Sequence, residues 1–448
     1  MVRLFVGKGG AGKTTLAAKA AIEDARSGRR VLVVSFDQAH SLFDVLGRPA
    51  LDRSTSPAGN GPRSVAEGLD VLELDTLALL EASYRSISAI VSLAGTGHEH
   101  GVRFGGIDPE EIVGAPGAQD LLGLHRLVEL VDERTWETVF VDLPATADAL
   151  RTLALPDLLC GYLERLWPQH DRVVAGTGTD PRLTVLVAVM ERVLADADAV
   201  RELLFDHRRT TATIVLTPDS VGVAEARRTM SAAALMGLPV AEVIVNKVLP
   251  ELNSSSMGLV GVHPAVFWFE SWRAAQQARL ADVELLAQGC SLLIVEQSAD
   301  EPVGLASLGA LETRVGVVTV SNQAGSNQAG SNQAGSNQAE SNQAGSCQVG
   351  SSQPGGAGVA RQFDKPVVAH ESGSGLESVY TMTLRLPVVD PSTVSLGRVE
   401  DDVIIGADGT RKRVRLASVL RRCVVLGAEF ESGNLVVRFR PDPALWPA

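Results

Sequence analysis

The feature that most constrains this chain is a glycine-rich loop that directly follows a short apolar run. Residues Arg3–Val6 form the apolar run, residues 7–15 read Gly-Lys-Gly-Gly-Ala-Gly-Lys-Thr-Thr, and a helical pattern covers Lys13–Arg26. A strand, a glycine loop and Lys-Thr at the start of a helix form the P-loop arrangement, in which backbone N–H groups and the helix N-terminus bind phosphate. The alternative is a glycine-rich turn with a solvated lysine. The order of the three parts favours the P-loop and predicts a nucleotide-binding α/β domain.

The loop positions have distinct expected roles toward ATP and Mg²⁺. We expect Lys13 to span the β- and γ-phosphates, the Thr14 hydroxyl to ligate Mg²⁺, and Thr15 to reach the α-phosphate. The glycines allow the backbone to turn its N–H groups onto phosphate oxygens. The loop residues expected to bind the nucleotide are Gly7, Lys8, Gly9, Gly10, Ala11, Gly12, Lys13, Thr14 and Thr15.

The loop carries a second lysine, Lys8, ahead of Lys13. In nucleotidases with this deviant loop, the early lysine crosses a dimer interface to the phosphates of the partner subunit. Its positive charge then stabilises the transition state as an arginine finger does. We therefore predict that Lys8 is catalytic together with Lys13, and that the protein is a homodimer. The alternative is a surface lysine that lies beside an anionic ligand.

Residues 1–320 alternate short apolar runs with longer stretches of helical periodicity. Buried parallel strands are typically apolar throughout, and helices cover both faces of the sheet that they form. The pattern predicts one ATPase domain with a doubly wound, mostly parallel sheet and a helical insertion at about residues 76–130. The predicted strands are Arg3–Val6, Val31–Ser35, Val71–Leu74, Thr138–Val141, Arg172–Ala175, Thr213–Leu216, Val240–Asn246 and Ser291–Val295.

The rest of the chain contains two different kinds of segment. Residues 321–355 are five-residue units of the Ser-Asn-Gln-Ala-Gly type without a recurring large apolar position. Such a segment cannot bury a core, so we predict a flexible linker over residues 321–376. Partial alternation of apolar and polar residues appears at Val379–Leu386 and Leu435–Arg440, with turn-like sequences between them. These signals predict a small antiparallel β-sandwich over residues 377–440.

Composition limits the classes of partner and compartment. The formal net charge of −13 disfavours a nucleic-acid or anionic-membrane footprint, because both need a basic face. The four cysteines form no C-x-x-C pair, so no zinc or dithiol motif is indicated. No run approaches the ~18 apolar residues of a spanning helix, and the residues before the loop leave no room for a signal peptide. We expect a cytoplasmic protein without nucleic-acid binding or direct membrane insertion.

Several motifs beyond the loop resemble those of the arsenical pump-driving ATPases, a family that includes the targeting factors for tail-anchored membrane proteins. Residues 35–42 (Ser-Phe-Asp-Gln-Ala-His-Ser-Leu) look like the first switch of that family, and residues 142–151 (Asp-Leu-Pro-Ala-Thr-Ala-Asp-Ala-Leu-Arg) look like the second. Residues 245–247 (Val-Asn-Lys) resemble the segment that reads adenine, and residues 301–305 resemble the end of the ATPase domain. The matches come in family order and cover about residues 1–315.

The resemblance implies roles for three residues. Asp37 would orient or deprotonate the attacking water, Asp142 would be the Walker B carboxylate near Mg²⁺, and Asn246 would bind adenine through its amide. Asp142 ends an apolar strand, and ligands bind at the carboxyl ends of parallel strands. The alternatives are a helix cap for Asp37 and a strand-end cap for Asn246.

The chain also departs from the family pattern. Gln38 replaces the proline of the first switch, while Ala147 and Asp148 replace Gly-His in the second. Neither the arsenite-binding cysteines nor the C-x-x-C that joins the targeting-factor dimer is recognisable. The insertion at 76–130 contains no methionine, the residue that suits surfaces for promiscuous apolar clients. Neither metalloid pumping nor tail-anchor targeting carries over.

The predicted β-sandwich resembles the small heat-shock-type β-domain appended to some bacterial members of the family. Residues 384–387, 413–416 and 427–430 carry this resemblance. It implies protein contacts through exposed strands or grooves. The alternative is an appendage that only adds stability.

We predict an ATP-driven dimeric switch whose nucleotide state controls the binding of an unknown protein client. The alternatives are a metalloid-efflux ATPase that partners a membrane permease, a partitioning ATPase, and a nucleotide-binding scaffold with low turnover. The scattered cysteines weigh against efflux. The proline-broken end at residues 440–448 weighs against the amphipathic tail of a partitioning ATPase. Measured turnover alone separates the switch from the scaffold.

Overall fold

The structure is a computed structural model that describes residues 1–37, 41–48, 61–94, 117–178, 181–252, 263–316, 366–386, 389–431 and 433–446. The repeats at 321–355 lie outside these residues, as do Gln38 and His40. The described elements form an α/β region up to residue 316 and a mostly β region from residue 366, which we call the β-domain.

One large sheet forms the centre of the α/β region. Its strands are β1 (Val2–Gly7), β2 (Val31–Ser35), β3 (Arg63–Ala66), β4 (Leu69–Glu73), β5 (Thr138–Ala145), β6 (Thr210–Leu216), β7 (Val240–Val248), β8 (Ser291–Glu296) and β9 (Thr313–Val315). They lie in the order β3-β4-β2-β5-β1-β6-β7-β8-β9. The seven inner strands are parallel, and β3 and β9 pair antiparallel at the edges. The predicted mostly parallel sheet is confirmed.

Helices cover both faces of this sheet, as the uniformly apolar strands require. On one face, Phe5 and Val33 pack with α1 (Lys13–Arg26), α2 (Leu42–Val45) and α10 (Gly304–Ala310). On the other face, Leu4 and Val34 belong to a cluster that includes α8 (Ser220–Met236) and α9 (Pro264–Leu286). Successive strand residues point to opposite faces, so each strand contributes to both cores.

A helical region adjoins one face of the sheet and is larger than the predicted insertion. Its helices are α3 (Thr76–Ala94), α4 (Ala118–Asp132), α5 (Thr146–Leu166), α6 (Gln169–Gly176) and α7 (Pro181–Phe205). The first two fall within or close to the predicted limits of 76–130, and residues 95–116 lie outside the described residues. Helix α5 begins within the second switch and α6 and α7 follow it. Helix α7 packs against α3, α4, α5 and α6.

The predicted strand Arg172–Ala175 is wrong, because these residues lie in α6. Val173 and Val174 are exposed, whereas the Arg172 guanidinium is buried. That guanidinium donates to the carboxylates of Glu164 at 3.0 Å and Glu191 at 2.6 Å, which belong to the flanking helices. A short run such as Arg-Val-Val-Ala does not distinguish a strand from a helical turn. The two ion pairs of the buried Arg172 guanidinium hold this turn in place.

The β-domain consists of two antiparallel sheets, which confirms the predicted β-sandwich. Its elements are β10 (Val367–Ser372), β11 (Val379–Arg385), β12 (Ser395–Val399), β13 (Asp402–Ala407), β14 (Thr410–Arg415), α11 (Ser418–Arg421), β15 (Cys423–Glu431) and β16 (Asn434–Pro441). The sheet orders are β10-β11-β16-β15 and β12-β13-β14. Strand β10 lies inside the segment predicted as linker and pairs with β11. The predicted linker end at residue 376 is therefore wrong.

The β-domain packs against α8 of the α/β region. The Lys412 ammonium of β14 donates to the Met236 carbonyl oxygen at 3.1 Å, at the C-terminal end of α8. One turn earlier in the helix, the Ser231 hydroxyl donates to the carboxylate of Asp408. Burial lowers the pKa of Lys412, and the nearby Asp157 carboxylate acts in the opposite direction. Polar contacts thus fix the β-domain at the end of a helix that begins beside the glycine loop.

Candidate nucleotide-binding site

The glycine loop connects β1 to α1 at the carboxyl edge of the parallel sheet. Gly7 lies so close to β6 that an added Cβ would stand 2.1 Å from the Val215 carbonyl oxygen. Gly12 has a φ of +96°, and an added Cβ there would stand 2.3 Å from the Asn246 amide nitrogen. Among the described residues, no side chain caps the N-terminus of α1. Its free N–H groups form the kind of surface that binds phosphate.

Lys13 begins α1 with its ammonium partly buried at the loop. The ammonium donates to the Lys8 carbonyl oxygen at a long 3.4 Å. Burial lowers the pKa of Lys13, while the carboxylates of Asp142, Asp37 and Glu225 act to raise it. A cation held by one long hydrogen bond in a desolvated position is suited to exchange that bond for phosphate oxygens.

Asp142 and Thr14 meet below the loop. The Thr14 hydroxyl donates to Asp142 Oδ2 at 2.7 Å. Asp142 is fully buried, and its other oxygen, Oδ1, has no hydrogen-bond partner among the described residues. Burial raises the Asp142 pKa to about 6, although the hydrogen bond from Thr14 and the charge of Lys13 oppose this shift. A buried carboxylate with an unpartnered oxygen beside a hydroxyl fits a bound cation.

Asp37 lies two residues beyond the end of β2, close to the same carboxylate. Its backbone N–H donates to the Ser35 hydroxyl oxygen at 3.2 Å, and that hydroxyl donates to Asp142 Oδ2 at 3.3 Å. The Asp37 charge acts on the pKa values of both Lys13 and Asp142. The structure therefore brings Asp37, Lys13, Thr14 and Asp142 together.

Asn246 lies near the end of β7 and is buried against the loop. Its amide nitrogen donates to the Ala11 carbonyl oxygen at 2.8 Å, and its Oδ1 accepts the Lys247 backbone N–H at 2.9 Å. The amide oxygen is thus engaged within the protein, while a second amide N–H remains for an adenine acceptor.

Lys247 is a site residue for which the sequence analysis assigned no role. It has a left-handed backbone with φ of +62°, a conformation that costs energy for a residue with a side chain. Its ammonium donates to the Gly10 carbonyl oxygen at 2.9 Å, and its own carbonyl accepts from Gln276 of α9 at 3.2 Å. The Asn-Lys pair at a strand end was the signal available in the sequence. Lys247 and Asn246 together hold the loop from the β7 side.

Lys8 is half-buried in the loop, near the start of α8. Burial acts to raise the pKa of Asp219, the N-cap of α8, but hydrogen bonds from Thr217 and Gly222 and the charge of Lys8 hold it below its usual value. Within one chain, the Lys8 charge is therefore close to a carboxylate of the same subunit.

The second switch runs from the end of β5 into α5. Asp148 is exposed and pairs with Arg151 at 3.4 Å, one turn along the helix. Thr146 is buried, and its hydroxyl has no hydrogen-bond partner among the described residues. The replaced position 148 thus lies on an exposed helix surface.

Comparison with known proteins identifies the family to which this chain belongs. The sequence model of the anion-transporting ATPases matches residues 1–315, which is well over half of the chain. This chain belongs to the anion-transporting ATPase family. A second model, an HSP20-like domain found in these ATPases, matches residues 377–439. The predicted relationship is confirmed for both regions, and the protein is an ATP-binding, ATP-hydrolysing enzyme.

Several relatives share most of its length. Protein Rv2184c of Mycobacterium tuberculosis is 41% identical, over 100% of this chain and 97% of its own length. An Aquifex aeolicus protein that carries the name arsenical pump-driving ATPase 1 is 28% identical over 69% of this chain and 76% of its own. ATPase get3 of Neurospora crassa is 27% identical over 55% and 73%. No helix among the described residues is long and apolar enough to cross a membrane.

Proposed function

We propose that this ATPase hydrolyses Mg-ATP as a homodimer and that its nucleotide state controls the binding of a protein client. The observation that carries the proposal is the contact between Thr14 and the buried carboxylate of Asp142, directly below the phosphate loop. A loop that presents N–H groups, a lysine and a cation-binding carboxylate at one strand edge matches the needs of phosphoryl transfer.

Thr14 and Asp142 are the residues that would hold Mg²⁺. The Thr14 hydroxyl gives its proton to Asp142 Oδ2, so its oxygen lone pairs stay available to a metal ion. The unpartnered Asp142 Oδ1 could accept from metal-bound water, because Mg²⁺ usually keeps several waters and few protein ligands. When bound, the ion neutralises charge on the β- and γ-phosphate oxygens.

Lys13 and Asp37 act on different parts of the reaction in this proposal. Lys13 exchanges its long bond to the Lys8 carbonyl for the β- and γ-phosphates. The Asp37 carboxylate orients or deprotonates the attacking water, and it lies close enough to Lys13 for the two charges to interact. Asn246 binds adenine through its remaining amide N–H.

Lys8 supports the dimeric part of the proposal. In this proposal Lys13 supplies one cation to the phosphates of the same subunit, whereas Lys8 lies near the exposed Asp219 at the edge of the loop. A second subunit facing this edge would receive the Lys8 ammonium at its γ-phosphate and gain transition-state stabilisation.

A protein client is favoured over a metalloid by the placement of the three cysteines among the described residues. Cys160 contacts Asp198, Cys290 donates to the Val240 carbonyl, and Cys423 donates to the Val419 carbonyl. Cys160 lies in α5, Cys290 just before β8 and Cys423 in β15, so each thiol has its own partner. The HSP20-like β-domain, in contrast, supplies a module whose fold suits protein contacts.

The role of Asp37 is tested by comparing Asp37→Asn with the unchanged protein. We expect ATP affinity within a few-fold of wild type and turnover lower by about 100-fold or more, since loss of a general base typically costs 10²–10⁴-fold. Isothermal titration and single-turnover hydrolysis measure the two quantities. Wild-type turnover in Asp37→Asn would remove this role.

The trans role of Lys8 is tested with hybrid dimers. A double variant, Lys8→Ala with Asp37→Asn, is mixed with wild type, and hybrid formation is confirmed by native mass spectrometry. Under trans donation neither site of a hybrid works, so activity follows the square of the wild-type fraction. Activity that follows the wild-type fraction itself would contradict trans donation.

A further inference from the structure

We propose that Ser35 is a positioning residue for ATP hydrolysis, because its hydroxyl connects the backbone of Asp37 to the carboxylate of Asp142. The proposal rests on the water-activating role assigned to Asp37 above. It concerns turnover and predicts little effect on ATP binding.

Ser35 is the single polar residue of β2 and is 1% exposed. A buried hydroxyl without hydrogen bonds is costly, so its presence in an otherwise apolar strand calls for specific partners. Both partners belong to the nucleotide site. The hydroxyl donates to Asp142 Oδ2 at 3.3 Å and accepts the Asp37 backbone N–H at 3.2 Å.

The two neighbouring strands place Ser35 beside Asp142. In the parallel pairing of β2 with β5, these two residues are in register. The backbone supports this arrangement, since the Phe36 N–H donates to the Asp142 carbonyl oxygen at 2.9 Å. That backbone bond fixes Phe36, whereas the Ser35 hydroxyl provides the hydrogen bond to the Asp37 N–H.

The other end of the first switch is held by a different carboxylate. Glu73 Oε1, at the end of β4, accepts the backbone N–H groups of Leu42 at 3.0 Å and Phe43 at 3.3 Å. Ser35 and Glu73 thus anchor the two sides of the switch to the strands that flank it. The Ser35 anchor also contacts the carboxylate proposed to bind the metal ion.

One carboxylate oxygen, Asp142 Oδ2, therefore connects Thr14 and Ser35 directly and Asp37 through Ser35. Asp142 Oδ2 accepts from Thr14 at 2.7 Å and from Ser35. The position of this oxygen influences the Ser35 hydroxyl, which in turn positions Asp37. Without the hydroxyl, Asp37 keeps its carboxylate but loses a hydrogen bond that orients its backbone, and small misplacements of a catalytic group are costly for rate.

Ser35→Ala tests the inference in the full chain. We expect kcat to fall about tenfold to 100-fold, the size expected for a lost hydrogen bond within a charged network, while the ATP dissociation constant changes less than about threefold. Thr210→Val is the matched control. It removes an equally buried hydroxyl, which donates to the Leu203 carbonyl at 2.6 Å at the opposite end of the sheet, and should leave kcat unchanged.

A double variant distinguishes positioning of Asp37 from a separate structural role. If Ser35 acts through Asp37, then Ser35→Ala adds little to the defect of Asp37→Asn in single-turnover measurements. Fully multiplied defects would overturn the inference, as would wild-type kcat in Ser35→Ala or an equal loss of ATP affinity. If Asp37→Asn itself retains full turnover, the proposed role of Asp37 fails first, and the two failures are distinguishable.

Discussion

The α/β region and the β-domain differ in how the residues that make their main contacts are distributed along the sequence. In the α/β region the site groups come from short contiguous segments at the carboxyl ends of β1, β2, β5 and β7. In the β-domain, the contacts to the rest of the chain come from isolated residues such as Asp408 and Lys412. Ligand chemistry demands several groups within a few ångströms, whereas docking of a domain requires only compatible surfaces. The two regions should therefore respond differently to substitution.

The largest effect is expected from a substitution in the phosphate loop of the α/β region. Lys13→Ala should weaken ATP binding by about 30-fold or more, because truncating one partner of a buried charge pair typically costs about 2–5 kcal/mol. The β-domain should remain docked on α8, since the described polar contacts that hold it there involve Ser231 and Met236 and not Lys13. Titration calorimetry measures the first effect and limited proteolysis the second. Release of the β-domain would show that the regions are coupled.

Asp142→Asn should stabilise the nucleotide-free protein while removing the proposed metal ligand. Burial raises the Asp142 pKa from 3.8 to about 6, so ionised Asp142 destabilises the folded state, by up to about 3 kcal/mol. This penalty is fully present above the folded pKa and disappears below the unfolded pKa. The gain in Tm should therefore be largest at pH 8 and shrink as the pH falls from about 7 to about 4.

The exposed Asp148→Asn is the control for this experiment, and it should show no such gain. A lower Tm for Asp142→Asn at pH 8 would contradict the assigned cost of burying the charge. Asp142→Asn should also need far more Mg²⁺ for ATP hydrolysis than the wild-type protein.

Truncation after residue 320 should leave a folded ATPase with a lower Tm. The large sheet is complete by residue 315, but α8 loses the contacts to Asp408 and Lys412. With an unfolding entropy of roughly 2.1 cal/mol/K per residue, a loss of about 1 kcal/mol corresponds to roughly 1–2 °C for a domain of this length. Thermal melts and ATP turnover of the truncated chain measure this. An insoluble product would show that the β-domain is integral to the fold.

The smallest expected effect is that of Lys412→Met, which keeps most of the side-chain length. The variant loses the hydrogen bond to the Met236 carbonyl but also the cost of burying an ammonium. We expect a change in unfolding free energy within about 1 kcal/mol. Denaturant unfolding measures it, with Lys412→Glu as the disruptive comparison. A loss above about 3 kcal/mol would show that the ammonium dominates the docking.

Contiguous motifs made much of the fold and the site predictable. The strands β1, β2 and β5 and the loop between β1 and α1 could be placed from the sequence. An apolar run favours a buried strand, and a glycine-rich stretch allows the backbone turns of a phosphate loop. The grouping of Asp37 and Asp142 followed from strand ends that meet at one edge of a parallel sheet. Their roles toward water and metal remain predictions.

Features that depend on tertiary context could not be predicted. The segment 172–175 has a strand-like composition, but ion pairs from the flanking helices hold it as a helix. The exposed strand β10 is ordered by pairing with β11, and its own composition gave no sign of this. Ser35 and Lys247 act through hydrogen bonds to segments more than 100 residues away in the chain, which no local pattern records.

The hydrogen bond from Lys412 to the Met236 carbonyl has a consequence for how the sequence of this protein can evolve. Its acceptor is a backbone carbonyl at the end of α8, and a carbonyl is present whatever residue occupies position 236. Mutations in that helix can therefore accumulate without removing the acceptor, provided that the helix still ends there. The two regions can therefore diverge at different speeds and remain attached.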